Sequence, residues 1–104
     1  MAAPEHVPTS RLWFASGFPN TADPTELLRR AGRGDETAFA EFYDATSHRL
    51  FGLVLRVVRD IALAQEVTQE VYLHAWRHSA RFDPDHGSAL VWIIMIARRA
   101  AVMR

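Results

Sequence analysis

The 104-residue chain contains no cysteine and no lysine. Without cysteine it has no disulfide scaffold, no cysteine-ligated zinc and no thiol catalysis. All twelve basic residues are arginine, which suits phosphate contacts, but a GC-rich genome produces the same bias, so this feature is neutral. The longest apolar run, residues 89–97, has nine residues, against the roughly 20 that a membrane-spanning helix needs. The first 23 residues lack the basic start and apolar run of a signal peptide.

Charge is unevenly distributed along the chain, although the formal net charge is zero. Residues 60–76 contain three acidic residues and no arginine, whereas residues 77–104 contain five arginines and two aspartates. A net charge of zero argues at first against a nucleic-acid partner. The distribution says more than the total, because an acidic helix is followed by a basic end.

Caps and apolar spacing predict an all-α protein, a compact bundle of three long helices plus a short N-terminal helix. Residues 1–23 are rich in proline and small polar residues and are predicted to be a flexible tail. It remains open whether its three large aromatic residues dock on the domain, on a partner or nowhere. The short helix is expected over 24–33, after Asp23 as its cap. No strand pattern occurs.

Three further caps begin the long helices. Asp35 precedes a helix with apolar residues in steps of three and four, Asp60 precedes one that reaches about His78, and Ser88 precedes the last one. Between the last two helices, residues 81–87 form a loop whose Asp-Pro-Asp sequence is typical of a turn, and Gly87 permits positive φ.

Four segments resemble, in order and spacing, region 2 of the extracytoplasmic-function (ECF) sigma factors of the bacterial sigma-70 family. Phe39-Ala-Glu-Phe-Tyr43 resembles the opening of region 2.1, and Ala64 to Trp76, AQEVTQEVYLHAW, resembles region 2.2. Phe82-Asp-Pro, Gly87-Ser-Ala-Leu and the stretch from Trp92 to Arg99 resemble regions 2.3 and 2.4. The resemblance covers about residues 26–104, so residues 24–104 are expected to be one sigma region 2 domain.

The resemblance implies a cytoplasmic protein that initiates transcription without catalysis, cofactor or metal. Its expected partners are the clamp helices of the largest subunit of core RNA polymerase and the non-template strand of the promoter minus-ten element. Many members of the family are also held inactive by an anti-sigma factor. The alternative is a helical protein-interaction module with no nucleic-acid role.

The polymerase-binding residues implied by the resemblance lie on the acidic helix, where acidic side chains would complement a basic surface. They are Asp60, Gln65, Glu66, Gln69, Glu70 and Leu73. The other interpretation is an ordinary solvated polar face. Gln65 departs from the family, which usually has glutamate there.

The DNA-binding residues implied by the resemblance lie in the loop and at the basic end. They are Arg81, Phe82, Asp83, Asp85, His86, Ser88, Arg98, Arg99 and Arg104. In the family this loop helps to form a pocket for a base flipped out of the minus-ten element. The loop could instead be a plain connection, Phe82 could stack on a base or plug the core, and the arginines could serve only the helix dipole.

Other features favour plainer interpretations. Trp76 and Trp92 lie on apolar faces and are expected in the core. Glu70, His74 and His78 have helical spacing, but no further metal ligand accompanies them. The Asp83–Gly87 segment lacks the glycine position and distal glutamate of a calcium loop.

The last helix is apolar on nearly every side, whereas a helix on a bundle surface should keep a polar face. We therefore expect another chain, such as an anti-sigma factor, or a second domain to cover it around Ile94, Met95 and Met103. Met103 stands where the family usually has aspartate, and the family continues into a second helix-turn-helix domain, region 4, that this sequence does not contain.

Overall fold

A computed structural model describes residues 23–103. In order, the helices are α1 Pro24–Ala31, α2 Glu36–Val58, α3 Ile61–His78 and α4 Ala89–Val102, with two 3₁₀ turns, Ser79–Arg81 and Pro84–His86, between α3 and α4. No strand occurs within the described residues. The predicted fold class is therefore confirmed, whereas the predicted tail lies outside the described residues except for Asp23.

All four predicted caps are in place. Side-chain oxygens of Asp23, Asp35, Asp60 and Ser88 accept backbone N–H groups in the first turns of α1, α2, α3 and α4 respectively. Each of these bonds satisfies a donor that has no partner within its own helix. Helix α1 ends at Ala31, two residues earlier than predicted, because the chain then turns through Gly32 to Gly34, which has φ of +97°.

All four helices contribute to one core, and its aromatic part lies between α2 and α3 around Tyr72. Its ring lies within 6.4 Å of the rings of Phe39, Phe42 and Tyr43, measured between centroids. Its hydroxyl is hydrogen-bonded to Thr46, which in turn donates to the backbone carbonyl of Phe42. Most of the residues predicted on the apolar faces of these two helices are therefore buried, whereas Tyr43, Leu53 and Trp76 are half-buried and Val57 is exposed.

Helix α4 buries one narrow row against the other helices, namely Ala89, Ile93, Ala97 and Ala101. Because three of these are alanine, the helix can pack closely on its neighbours. Its exposed side carries Val91, Met95 and Val102 together with Arg98 and Arg99. Met95 retains 61% of its accessible surface and Met103, just beyond the helix, 78%, whereas Ile94 is half-buried. The predicted excess of apolar surface on α4 is therefore present. No helix of residues 23–103 is long and apolar enough to cross a membrane.

We expect Tyr72→Phe to lower the free energy of unfolding by about 1 kcal/mol, because the ring packing stays and one buried hydrogen bond is lost. Tyr43→Phe, on the neighbouring half-buried ring, should cost less than about 0.5 kcal/mol. Urea denaturation of the three proteins measures both values. Equal losses in the two variants would contradict the role assigned to the Tyr72 hydroxyl.

Candidate functional site

Polar and apolar side chains share one exposed face of α3, which we call the docking face: Gln65, Glu66, Gln69, Glu70 and Leu73. Their helical spacing places them on a single stripe opposite the buried row of α3. Five of the six residues that the resemblance assigned to polymerase binding thus lie together. Asp60 is not on the stripe, because its side chain caps the start of the helix.

An open groove of about 650 Å³ runs between α2 and α3 beside the docking face. From α2 it receives Tyr43, Ser47, His48 and Phe51. From α3 it receives Thr68, which is 6% exposed and whose hydroxyl oxygen has no hydrogen-bond partner in the described part of the chain. This oxygen is buried, so it lies beneath the surface of the groove rather than on it.

Asp44, one residue beyond Tyr43 on α2, also has a buried carboxylate oxygen without a partner among residues 23–103. Burial, and after it the nearby carboxylate of Glu41, raises its pKa to about 6. Sequence reasoning missed this residue, because its burial depends on tertiary packing.

The segment from Ser79 to Ser88, which we call the reading loop, is organised by Asp83. One carboxylate oxygen accepts the Asp85 backbone N–H at 2.9 Å, and the other pairs with His86 Nδ1 at 2.7 Å. These two contacts hold the pKa of Asp83 below its usual range. Gly87 has φ of +139°, which confirms the predicted need for glycine.

A cavity of about 330 Å³, which we call the base pocket, opens between the reading loop and the first turns of α4. Five predicted DNA-binding residues line it, together with residues that the sequence did not single out for it. The predicted ones are Arg81, Phe82, Asp83, His86 and Ser88. The others are Gly87, Val91, Trp92 and Met95.

Phe82 is a core residue rather than a free stacking surface. It is 8% exposed, and its ring lies 5.5 Å from that of Trp92, between centroids. The structure therefore favours the second of the two alternatives for Phe82, and the less buried Trp92 is the aromatic wall of the pocket. Asp85 does not line this pocket but faces a second cavity toward α1.

A basic surface lies where the last turns of α3 approach α4. Burial lowers the pKa of His74, and the positive charges of His78, Arg77, Arg81 and Arg99 lower it further. Arginines from both helices therefore act on one region, which sequence spacing along one helix does not reveal. Arg98 is also exposed on α4, whereas Arg104 lies outside the described residues.

Comparison with known proteins identifies the family of this fold. The family model for Sigma-70 region 2 matches residues 42–104. The chain belongs to the sigma-70 region 2 family. The match begins within α2, so this region 2 domain carries α1 ahead of the matched segment.

Curated relatives agree with this assignment. The domain is 50% identical over 84 residues to the ECF RNA polymerase sigma factor SigK of Mycobacterium tuberculosis H37Rv, which covers 81% of this chain and 45% of that protein. It is 46% identical over 90 residues to the SigK protein of Mycobacterium ulcerans Agy99, covering 86% of this chain and 48% of that protein. The chain thus spans about half the length of the curated relatives it matches.

The position of Asp44 in this region 2 domain predicts a pH dependence of stability. Its folded pKa of about 6 exceeds that of an aspartate in the unfolded chain, so the folded state binds the proton more tightly. The free energy of unfolding should therefore fall as pH rises from about 4 to 6. The change should be about 1 kcal/mol, since solvent screens a half-exposed carboxyl.

Asp44→Asn should remove this part of the pH dependence. Denaturant unfolding of both proteins at a series of pH values tests the assignment. A slope that is unchanged in Asp44→Asn would show that other groups cause it.

Proposed function

We propose that this domain binds core RNA polymerase and recognises and melts the promoter minus-ten element, and that it thereby initiates transcription. It would act in the cell interior, where the polymerase is found. The observation that carries the proposal is the base pocket, which opens beside a surface of converging arginines in a member of the sigma-70 region 2 family. The domain supplies binding energy and no chemistry of its own.

The docking face is the proposed contact with the clamp helices of the largest polymerase subunit. Glu66 and Glu70 are exposed there, and an acidic face complements and steers a basic partner. The adjoining groove offers the half-buried aromatic rings of Tyr43 and Phe51 from α2. A partner side chain seated in the groove would bury this apolar surface.

The base pocket is the proposed seat of a base flipped out of the non-template strand. Its wall of Val91, Trp92 and Met95 suits the flat apolar surface of a base, and its rim of loop residues suits the hydrogen-bonding edges. Asp83 is already engaged by Asp85 and His86. We therefore assign it the shaping of the rim, while the other ring nitrogen of His86, Nε2, and backbone groups of the loop are the groups proposed to read the base.

The arginines near the pocket are the proposed phosphate contacts. Arg81 lies at the pocket, and Arg99 lies close enough to His74 to influence its pKa. Such contacts add affinity and salt dependence but carry no sequence information. Base capture and phosphate binding should therefore be separable by substitution.

An anti-sigma factor is the proposed occupant of the exposed apolar side of α4. Val91 and Met95 belong both to that side and to the wall of the base pocket. A partner seated on them would therefore block base capture by direct overlap, without any change in the fold.

We expect Glu66→Arg to weaken binding to core RNA polymerase roughly tenfold, because it places a like charge against a basic partner. Glu36→Arg, an exposed charge reversal at the far end of α2, is the matched control and should bind as the unaltered domain does. Fluorescence anisotropy with the labelled domain measures both affinities, and circular dichroism checks the fold. Equal affinities for the two variants would remove the docking face from the mechanism.

We expect Asp83→Ala to reduce discrimination among minus-ten single strands by roughly tenfold, because the rim of the base pocket loses the two contacts that shape it. The measurement is selection from a pool of randomised single strands by the domain assembled with core RNA polymerase. Unaltered selection would place the reading site elsewhere.

Arg99→Ala should lower affinity without changing discrimination among strands, in contrast to Asp83→Ala. It should weaken binding of all strands alike and reduce the slope of log affinity against log salt by about 0.7, the value for one phosphate contact on a single strand. An unchanged salt slope would exclude Arg99 from the phosphate contacts.

A further inference from the structure

Helix α1 lies outside the docking face and ahead of the segment that matches the family model, yet it contacts both ends of the reading loop. It packs on α2, on α4 and on both 3₁₀ turns. Its inward residues Leu27 and Leu28 are fully buried and Ala31 is nearly so. The helix is therefore held firmly by the core on one side and faces the loop on the other.

The first contact is a close approach of backbones at the C-terminal end of α1. A Cβ atom placed on Gly32 would lie 2.7 Å from the carbonyl oxygen of Ser79 and 3.2 Å from the Cα of Ala80. Both of those atoms belong to the backbone, which cannot rotate aside as a side chain would. Gly32 thus sets how closely the beginning of the reading loop lies against α1.

The second contact is a hydrogen bond at the N-terminal end of α1. Thr25 Oγ1 accepts the backbone N–H of Ala89 at 2.9 Å, across 64 residues of sequence. Ala89 is the first residue of α4, and its amide has no partner within that helix. Ser88 accepts the N–H of Val91, so one of the two caps of α4 is local and the other comes from α1.

The reading loop separates two cavities, so the two contacts that fix the loop against α1 also affect the shape of the base pocket. The base pocket lies on one side, and a cavity of about 320 Å³ lies on the α1 side, lined by Arg29, Gly32 and Arg33. Phe82 and Asp83 line both cavities. A displacement of the loop toward or away from α1 therefore changes the shape of the base pocket.

We propose that α1 is a brace for the base pocket and that Thr25 and Gly32 are positioning residues for base selection. Thr25 fixes the start of α4, whose next turns supply the wall of the pocket, and Gly32 fixes the start of the loop that supplies its rim. This inference rests on the proposed capture of a minus-ten base. It adds that α1, which contributes no residue to the docking face or to the base pocket, determines how sharply the base is selected.

The test compares Thr25→Val with Thr25→Ser. Valine has nearly the shape of threonine without the acceptor, whereas serine keeps the acceptor oxygen. With core RNA polymerase present, Thr25→Val should reduce discrimination among randomised minus-ten single strands about threefold to tenfold, the loss expected when a base is held less well. Thr25→Ser should restore it. Affinity for core polymerase should be unchanged in both, because the docking face is remote.

Amide hydrogen exchange provides a measurement of the brace that does not depend on DNA. In Thr25→Val the Ala89 amide should exchange faster, because its acceptor is gone, while amides in the middle of α3 keep their protection. Faster exchange at Ala89 with full discrimination retained would overturn the brace. A wild-type domain that shows no discrimination would instead refute the proposed function, and the brace with it.

Gly32→Ala tests the other end of the brace independently. It also replaces Thr25→Val as the test if that variant folds poorly. The added methyl group must push Ser79 away, so discrimination should again fall about threefold to tenfold. Gly52→Ala, in the middle of α2 where an added Cβ atom meets nothing within 4 Å, is the matched control and should select strands as the wild type does. The selections are performed at a temperature where circular dichroism shows wild-type helix content. Equal discrimination in Gly32→Ala and Gly52→Ala would overturn the proposal for Gly32.

Discussion

The packing of Tyr72 between α2 and α3 is the interaction on which the remaining surfaces depend. Its ring meets three aromatic residues of α2, and its hydroxyl meets Thr46. A ring enclosed on several sides and hydrogen-bonded at its tip, together with the rest of the buried row of α3, opposes rotation of α3 about its axis. Successive residues differ by about 100° around a helix, so a shift that moved Glu66 to the position of Val67 would turn it toward the core. The packing of Tyr72 therefore helps to keep the docking face exposed.

In helix α4, too, the residues buried in the core determine which residues are exposed, but the buried residues are small rather than aromatic. Its buried row consists mostly of alanine, so it approaches the core closely but buries little apolar area per residue. Val91 and Met95 are left in contact with solvent. These exposed residues form part of the wall of the base pocket.

Local features of the fold could be predicted from the sequence, and long-range features could not. Each cap acts within a few residues, so Asp35, Asp60 and Ser88 were identified correctly from their neighbours. The end of α1 was placed two residues too late, because the chain already turns through Gly32 to Gly34, which has φ of +97°. The Thr25 bond to Ala89, the packing of Phe82 on Trp92 and the burial of Asp44 depend on tertiary contacts. For the site, the sequence located the loop and the polar helix, but the pocket wall required the structure. The roles of these residues toward polymerase and DNA stay predictions.

The base pocket and the exposed side of α4 share two apolar residues, Val91 and Met95. Contiguous apolar surface is unfavourable in water and promotes association unless a ligand or partner covers it. Val91 and Met95 cannot be replaced by polar residues without changing the wall against which a base would pack. Met95 is also flexible and polarisable, so it can adapt to a flat ring or to a protein surface. On the proposed function, base capture requires Val91 and Met95 to be exposed, and the same two residues are the proposed binding surface of an anti-sigma factor.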